Sequence, residues 1–367
     1  MYKQYDVLKD YTLSYPLETK APLEQALFLD IETTGLSPMN SHVYMIGLAY
    51  YENDNWNVLQ WMAENASEEI ELLQALVDFL PRFTHLFHFN GTRFDLPYLL
   101  ERAKKFGIDL SFNQLEALDI YKCVSPLKGL LALPNCKQKS IEVFLGINRI
   151  DQYSGGELIE VYKEYVANPN EEALNLLIQH NYDDMRGMLD ILPILSYCDL
   201  LDGSLKVSKV EMLKTLSMEG KESYELSLYL KNSNPLPKRI FAYYDGNFMH
   251  AEENVVNIKV PVYEEELKFF YANYKDYYYV PSIDEAYHKS ISAHIDPSLR
   301  QQATATTCYT KMASIFLKQY DVLVEPFFKR EYKEKESYFE ITDETKKDRK
   351  LFEAYANHIL QVICKNI

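Results

Sequence analysis

The pattern of apolar and polar positions first becomes continuous at Ala26-Leu27-Phe28-Leu29, a run that meets Asp30 and Glu32 and breaks at Gly35. A continuous apolar run closed by a turn residue predicts a buried central strand. Beside it the pattern predicts an antiparallel meander. Residues 42–51 are apolar with Gly47 inside, Asp54-Asn55 turns the chain, and residues 56–62 alternate. Residues 67–80 predict a helix capped by Ser67, acidic in its first turn, with Ile70, Leu73 and Val77 on one face. Residues 85–89 form a short apolar run, reached by that helical crossover and so parallel to the first strand. The chain leaves it through Asn90-Gly91 and enters a helix that ends near Gly107 and starts at Asp95. Residues 115–124 predict a fifth strand, and residues 157–166 and 171–195 predict helices separated by Asn168-Pro169-Asn170. Residues 1–25 carry little regular pattern and read as an extension.

Polar residues inside these elements bring in chemistry. Asp30 and Glu32 are two apart on a strand, so they share a face. Two carboxylates there repel each other unless water or a cation separates them; a strand end facing water and a metal site both satisfy that. Asp95 lies just past the tip of the neighbouring strand, where it either caps its helix or supplies a third carboxylate. His180 and Asp184 are four apart on a helix and share one face, as a surface pair or as part of the same site, whereas Asp183 points elsewhere. Combined, Asp30, Glu32, Asp95 and Asp184 form the oxygen-rich donor set that magnesium prefers. Two such ions can bind the attacking and leaving oxygens of a phosphodiester, and His180 suits the task of activating the water.

Composition narrows the setting. The 367 residues are 47% apolar and 25% charged, long enough for two domains and ordinary for a globular protein. No apolar run of membrane-spanning length and no signal-peptide core is visible, which predicts a cytoplasmic protein with no membrane partner. Five scattered cysteines give neither a disulfide framework nor a zinc spacing. Of the net charge of −16, most falls in residues 1–200, with 15 Lys and Arg against 29 Asp and Glu. That surface argues against nucleic acid except where bound cations offset it. The most basic stretch of this half, residues 125–156, holds Lys128, Lys137, Lys139 and Arg149.

Three segments carry a family resemblance. DIETTG (Asp30 to Gly35), FNGTRFDLPYL (Phe89 to Leu99) and HNYDD (His180 to Asp184) resemble the three motifs of the DEDD exonucleases on a ribonuclease H-like fold. The second is also similar to the proofreading domains of family B DNA polymerases. The spacer resembles the bacterial YprB-like ribonuclease H-like proteins at Leu118-Asp119-Ile120, Ser140-Ile141-Glu142, Leu145 to Arg149 and Gly155 to Leu158. The likeness covers about residues 22–200. It implies a 3′ to 5′ exonuclease acting on single-stranded ends of DNA or RNA with two Mg2+ or Mn2+ ions. Asp30, Glu32, Asp95 and Asp184 would be the metal ligands and His180 the catalytic base, with Leu36, Asn90 and Phe94 along the path of the terminal nucleotide. In the third motif three residues separate His180 from Asp184, so the residue type follows one branch of the family and the spacing the other.

The expected fold class is α/β: a ribonuclease H-like mixed five-stranded sheet flanked by helices over residues 1–200, with residues 1–25 an N-terminal extension. A second α+β domain rich in antiparallel strands is expected over residues 205–367. Residues 199–204 are the expected hinge. Strands are expected at 223–231, 239–244 and 255–263 with a turn at Asp245-Gly246-Asn247, sheet at 271–280, and helices at 304–317 and 350–364. Tyr277 to Tyr279, His288-Lys289 and Arg300 are either a surface for stacking bases or half-buried sheet residues beside solvated cations. This half is also the candidate surface for a protein partner or a dimer. Two further functional readings stay open: a binding or scaffold module without efficient chemistry, and an endonuclease using the same metal site.

Overall fold

The computed structural model describes residues 1–148, 153, 155–203, 205–216, 220 and 222–367, so that Arg149 lies outside the described residues. Two compact units result: residues 1–198 with 236–238, and residues 199–235 with 239–367. Among the described residues no helix is long and apolar enough to cross a membrane.

The first unit contains strands β1 (Tyr2–Leu8), β2 (Ala26–Thr33), β3 (Val43–Glu52), β4 (Asn55–Met62), β5 (His85–His88) and β6 (Glu116–Asp119). Its helices are α1 (Glu69–Phe79), α2 (Asp95–Phe106), α3 (Ile120–Val124), α4 (Gln138–Leu145), α5 (Gly155–Ala167), α6 (Glu171–Asp190) and α7 (Leu195–Cys198). The strands make one mixed sheet in the order β1-β4-β3-β2-β5-β6. The expected meander is β4-β3-β2, and β5 runs parallel to β2 after the α1 crossover. Ala26 to Leu29 are fully buried, as a continuous apolar run in a central strand requires. Leu27, Leu29 and Ile31 pack with Leu72, Leu73 and Leu76 of α1 and with Tyr98, Leu99 and Ala103 of α2. On the other side Tyr44, Met45 and Met62 pack with Leu158 and Tyr162 of α5 and Ala173 and Leu177 of α6.

Three local expectations change. The N-terminal extension is not irregular, because β1 adds a sixth, edge strand by pairing antiparallel with β4. Its backbone pairing with β4 leaves no apolar pattern of its own, and only Leu8 of the strand is buried. The fifth strand is short: β6 stops at Asp119 and the chain turns straight into α3. In α1 the buried apolar residues are Leu72, Leu73 and Leu76, while Ile70 is exposed; α1 starts at Glu69 after a separate 3-10 turn capped by Asn65.

The second unit contains β7 (Lys206–Leu216), β8 (Glu222–Tyr244), β9 (Asn247–Phe270), β10 (Tyr277–Val280), β11 (Glu285–His288), β12 (Gln301–Gln302), β13 (Tyr309–Gln319) and β14 (Ser337–Glu340), with helices α8 (Lys289–Ser292) and α9 (Arg349–Asn366). A five-stranded sheet runs β14-β13-β9-β8-β7 and a three-stranded sheet runs β11-β10-β12. Asp245 and Gly246, both at positive φ, make the two-residue turn between β8 and β9. The helix expected at 304–317 is instead mostly β13, paired with β9 on one side and β14 on the other. Its Tyr, Thr, Ile and Phe content suits a strand, and the long-range pairing overrides the helical spacing. Tyr277, Tyr278 and Tyr279 are half-buried sheet residues, and the Tyr278 ring lies under both Lys289 and Arg300.

One buried ion pair fixes the helices on the α1–α2 face. Arg102 of α2 and Glu69 of α1 are 4% and 1% exposed, with Nε donating to Oε1 at 2.7 Å and Nη2 to Oε2. Arg102 Nη1 also donates to the Pro38 carbonyl at 2.7 Å, and Val43 N–H donates to Glu69 Oε1 at 2.9 Å. Removing one partner strands a buried charge. Arg102→Ala should lower unfolding free energy by about 3 kcal/mol, and Arg102→Met with Glu69→Gln should recover most of that loss in urea titrations. A loss below about 1 kcal/mol for Arg102→Ala would show that the pair is solvent-compensated.

Candidate active site

Asp30 and Glu32 leave β2 on the face that α6 covers, and both are half-buried. A bulge between Glu32 and Thr33 ends the regular register with β3 at that point. On the other edge, β5 pairs with β2 only as far as Phe28 opposite Phe87. The chain then turns out through Asn90, whose φ of 62° Asn tolerates better than most side chains. With β5 gone, the Ile31 N–H is taken by Asp95 Oδ1 at 3.2 Å. Asp95 therefore sits in the first turn of α2, 5% exposed, with its carboxylate hydrogen-bonded to the central strand.

The C-terminal half of α6 supplies the opposing groups. His180, 4% exposed, places Nε2 3.4 Å from Glu32 Oε1 and 3.2 Å from Asp184 Oδ2. One donor atom from each of these three residues lies within 4.8 Å of the others. Asp183 accepts instead from Gln179 at 2.7 Å, on an exposed part of the helix. Burial is the main cause that pushes the Asp95 carboxyl up to about 7; the charges of Asp119 and Asp184 add to it, and backbone N–H donors oppose it.

Asp30 and Asp95 also line a cleft of about 350 Å³ with Phe89, Asn90, Phe94, Tyr121, Lys137 and Gln138. Asn90 and Phe94 are thus brought together with the carboxylates. Leu36 is not part of that lining; it stands 86% exposed in the loop between β2 and β3. Tyr121 and Lys137 join the site without any motif to announce them. Asp119, at the end of β6, accepts from Asn90 N–H at 2.9 Å and Thr92 N–H at 3.3 Å, so it anchors the loop that leads to Asp95. His88 assists: its Nδ1 accepts from Gly91 N–H at 3.1 Å, and a Cβ on Gly91 would come within 2.8 Å of the ring.

The donor set fits a hard divalent cation. Carboxylate oxygens dominate, an imidazole nitrogen sits among them, and a buried acid holds its proton to near-neutral pH, as it does where positive charge is missing. Glu32, His180 and Asp184 bring one donor atom each within 4.8 Å of one another, and Asp30 and Asp95 line the cleft described above.

Residues 27–196 match the family model described as RNase_H superfamily, and the six-stranded mixed sheet flanked by helices is RNase H-like. The family B DNA polymerase from the archaeon Pyrobaculum calidifontis is similar at 16% identity and a TM-score of 0.40, covering 70% of this chain and 35% of its own. The zinc-bound E. coli ExoI–ssDNA complex is similar at 12% identity and a TM-score of 0.30, covering 57% of this chain and 55% of its own. The chain thus spans about a third of the polymerase and just over half of the exonuclease. No curated protein sequence matches it.

The buried carboxyl gives a stability prediction. An acid whose folded-state pKa exceeds its unfolded value of 3.8 holds its proton more tightly when folded. Unfolding then releases that proton between about pH 4 and 7, so this group's contribution falls as pH rises through that window. Asp95→Asn should leave the Tm of the metal-free protein nearly unchanged at pH 4. At pH 8 it should raise the Tm by about 2–8 °C, the shift that about one to two kcal/mol produces in a unit of this size. Equal effects at both pH values, by differential scanning calorimetry in EDTA, would refute the assignment.

Proposed function

We propose that the first unit is a metal-dependent nuclease of the DEDD type, close to the YprB-like proteins, that removes nucleotides from 3′ ends of single-stranded DNA or RNA. The observation that carries this reading is the convergence of Glu32, His180 and Asp184 within 4.8 Å, beside a cleft lined by Asp30 and Asp95. Asp30, Glu32, Asp95 and Asp184 hold the divalent ions, Mg2+ or Mn2+, which when bound supply charge neutralisation at the scissile phosphate and acidify the attacking water. His180 Nε2 faces the two carboxylates that flank the reacting centre, where an imidazole can accept and return a proton. Deprotonated Asp95 is the form that binds a cation, so a neutral to alkaline optimum is expected.

The cleft supports a nucleotide-sized occupant. Phe94 and Tyr121 offer ring faces for a base, Lys137 a charge for a phosphate, and Asn90 an amide for a polar edge. Leu36, exposed in the loop that Arg102 holds through Pro38, is the apolar side chain we assign to the path of the terminal nucleotide.

The test is digestion of 3′-labelled and 5′-labelled single strands, DNA and RNA, with Mn2+, Mg2+ or EDTA. Mononucleotides should appear from the 3′ end only with metal. Asp30→Ala and Asp184→Asn should abolish release while the protein stays folded, and His180→Ala should lose about 10²–10⁴-fold. Internal fragments would replace the exonuclease reading with an endonuclease. No cleavage of any substrate by folded, metal-bound protein would favour a binding module.

A further inference from the structure

A row of three residues crosses the sheet at the level of the site. Asp30 of β2 is in register with Gly47 of β3, and Gly47 is in register with Gln60 of β4. Above this row α6 places Asn181, which is fully buried. Gln60 Nε2 donates to Asn181 Oδ1 at 2.9 Å and to the Ile178 carbonyl at 2.9 Å. Asn181 Nδ2 in turn donates to Asp30 Oδ2 at 3.1 Å. The chain of donors fixes the amide's orientation: with its oxygen committed to Gln60, its NH2 faces the carboxylate. Gln60 is itself 1% exposed, so the whole relay lies in the interior, where an amide that keeps both partners is favoured over one that loses either.

The glycine explains how the relay fits. A Cβ at Gly47 would lie 2.3 Å from Asn181 Oδ1 and 2.7 Å from its Nδ2. Gly47 is not among the glycines at positive φ, so space and not backbone freedom requires it. Only a strand without a side chain there lets the α6 amide bridge from β4 to β2.

We infer that Asn181, oriented by Gln60 and admitted by Gly47, is a positioning residue that holds the Asp30 carboxylate in its metal-binding orientation. This rests on the reading of Asp30 as a metal ligand. Groups that hydrogen-bond a ligating carboxylate typically change metal affinity by about 10–100-fold when removed. The relay therefore acts on the site through Asp30, and none of its three residues has to touch substrate.

The experiment measures Mn2+ binding directly, by electron paramagnetic resonance of the free ion, together with hydrolysis against Mn2+ concentration and thermal unfolding. Asn181→Ala should raise the Mn2+ Kd, and the metal concentration for half-maximal hydrolysis, by about 10–100-fold. Its kcat at saturating Mn2+ should stay within roughly threefold of wild type, a split that general structural damage would not give. Gly47→Ala should do the same, and Gly47→Ala combined with Asn181→Ala should be no worse than Asn181→Ala alone, because the obstructed amide is gone. Asp30→Ala is the reference. If it binds Mn2+ as wild type does, the ligand reading of Asp30 has failed and the relay with it. If it loses Mn2+ while Asn181→Ala keeps the wild-type Kd, the relay alone is overturned, as it is by strictly additive effects in the double variant. Should Asn181→Ala not fold, Gln60→Leu frees the amide without altering Asn181 or Asp30, and its Mn2+ Kd decides on the same criterion.

Discussion

Repulsion among carboxylates is the constraint that organises the first unit. Glu32 and Asp184 meet around His180, Asp30 and Asp95 line the adjoining cleft, and Asp95 is buried where solvent screens little of its charge. The chain answers each one separately. Asp95 keeps its proton and accepts from Ile31, Asp30 accepts from Asn181, and Glu32 and Asp184 share the His180 imidazole. The backbone follows from those needs. β5 stops short so that Ile31 can turn its N–H to Asp95, the β2 bulge falls at Glu32, and α6 crosses the sheet where a glycine lets it approach.

Legibility in the sequence tracked locality. The β2 strand with its two acids on one face, the start of α2 at Asp95, and the shared face of His180 and Asp184 all follow from rules that span a few residues. β1 is invisible for the opposite reason: an edge strand held by pairing with β4, about fifty to sixty residues away, needs no continuous apolar run. β13 was misread because the spacing of its apolar residues also suits a helix, and only its two strand neighbours decide. In the site, Asp119 and Asn181 carry weak signals: Asp119 lies inside an expected strand over 115–124 and in the spacer resemblance, and Asn181 is an amide inside the third motif. Gly47 is visible as a glycine inside an apolar strand, but the amide that fills its place comes from residue 181, which spacing alone does not supply.

The second unit obeys the same physics with a different emphasis. β8 and β9 run 23 and 24 residues, several times the usual strand length, so their alternation must be maintained without the support of local turns. It is kept by buried residues such as Leu226, Leu228 and Leu230 on β8, and Val256, Ile258 and Val260 on β9. Helix α9 adds a buried face of Phe352, Tyr355, Ile359, Leu360 and Ile363. Two cations of the second unit are engaged with rings and acids: Arg330 meets Glu265 and the Tyr338 ring, and Lys311 meets Asp284.

The Arg102–Glu69 pair illustrates how a helix that carries a buried acid is held at a distance from that acid. A buried ion pair offers little net stability over an apolar substitute, because both partners lose hydration. Its value here is directional. A guanidinium has donors in fixed directions, and Arg102 uses them to bind α1 through Glu69 and the β2–β3 loop through Pro38. Arg102 sits two turns along α2 from Asp95, on the same side of the helix. The height of Asp95 against β2 is therefore set by an interaction that satisfies its own charges completely. That division is sensible for a carboxylate that burial disfavours: the register of the helix that carries it is held by the Arg102 donors to Glu69 and Pro38 rather than by the acid's own contacts.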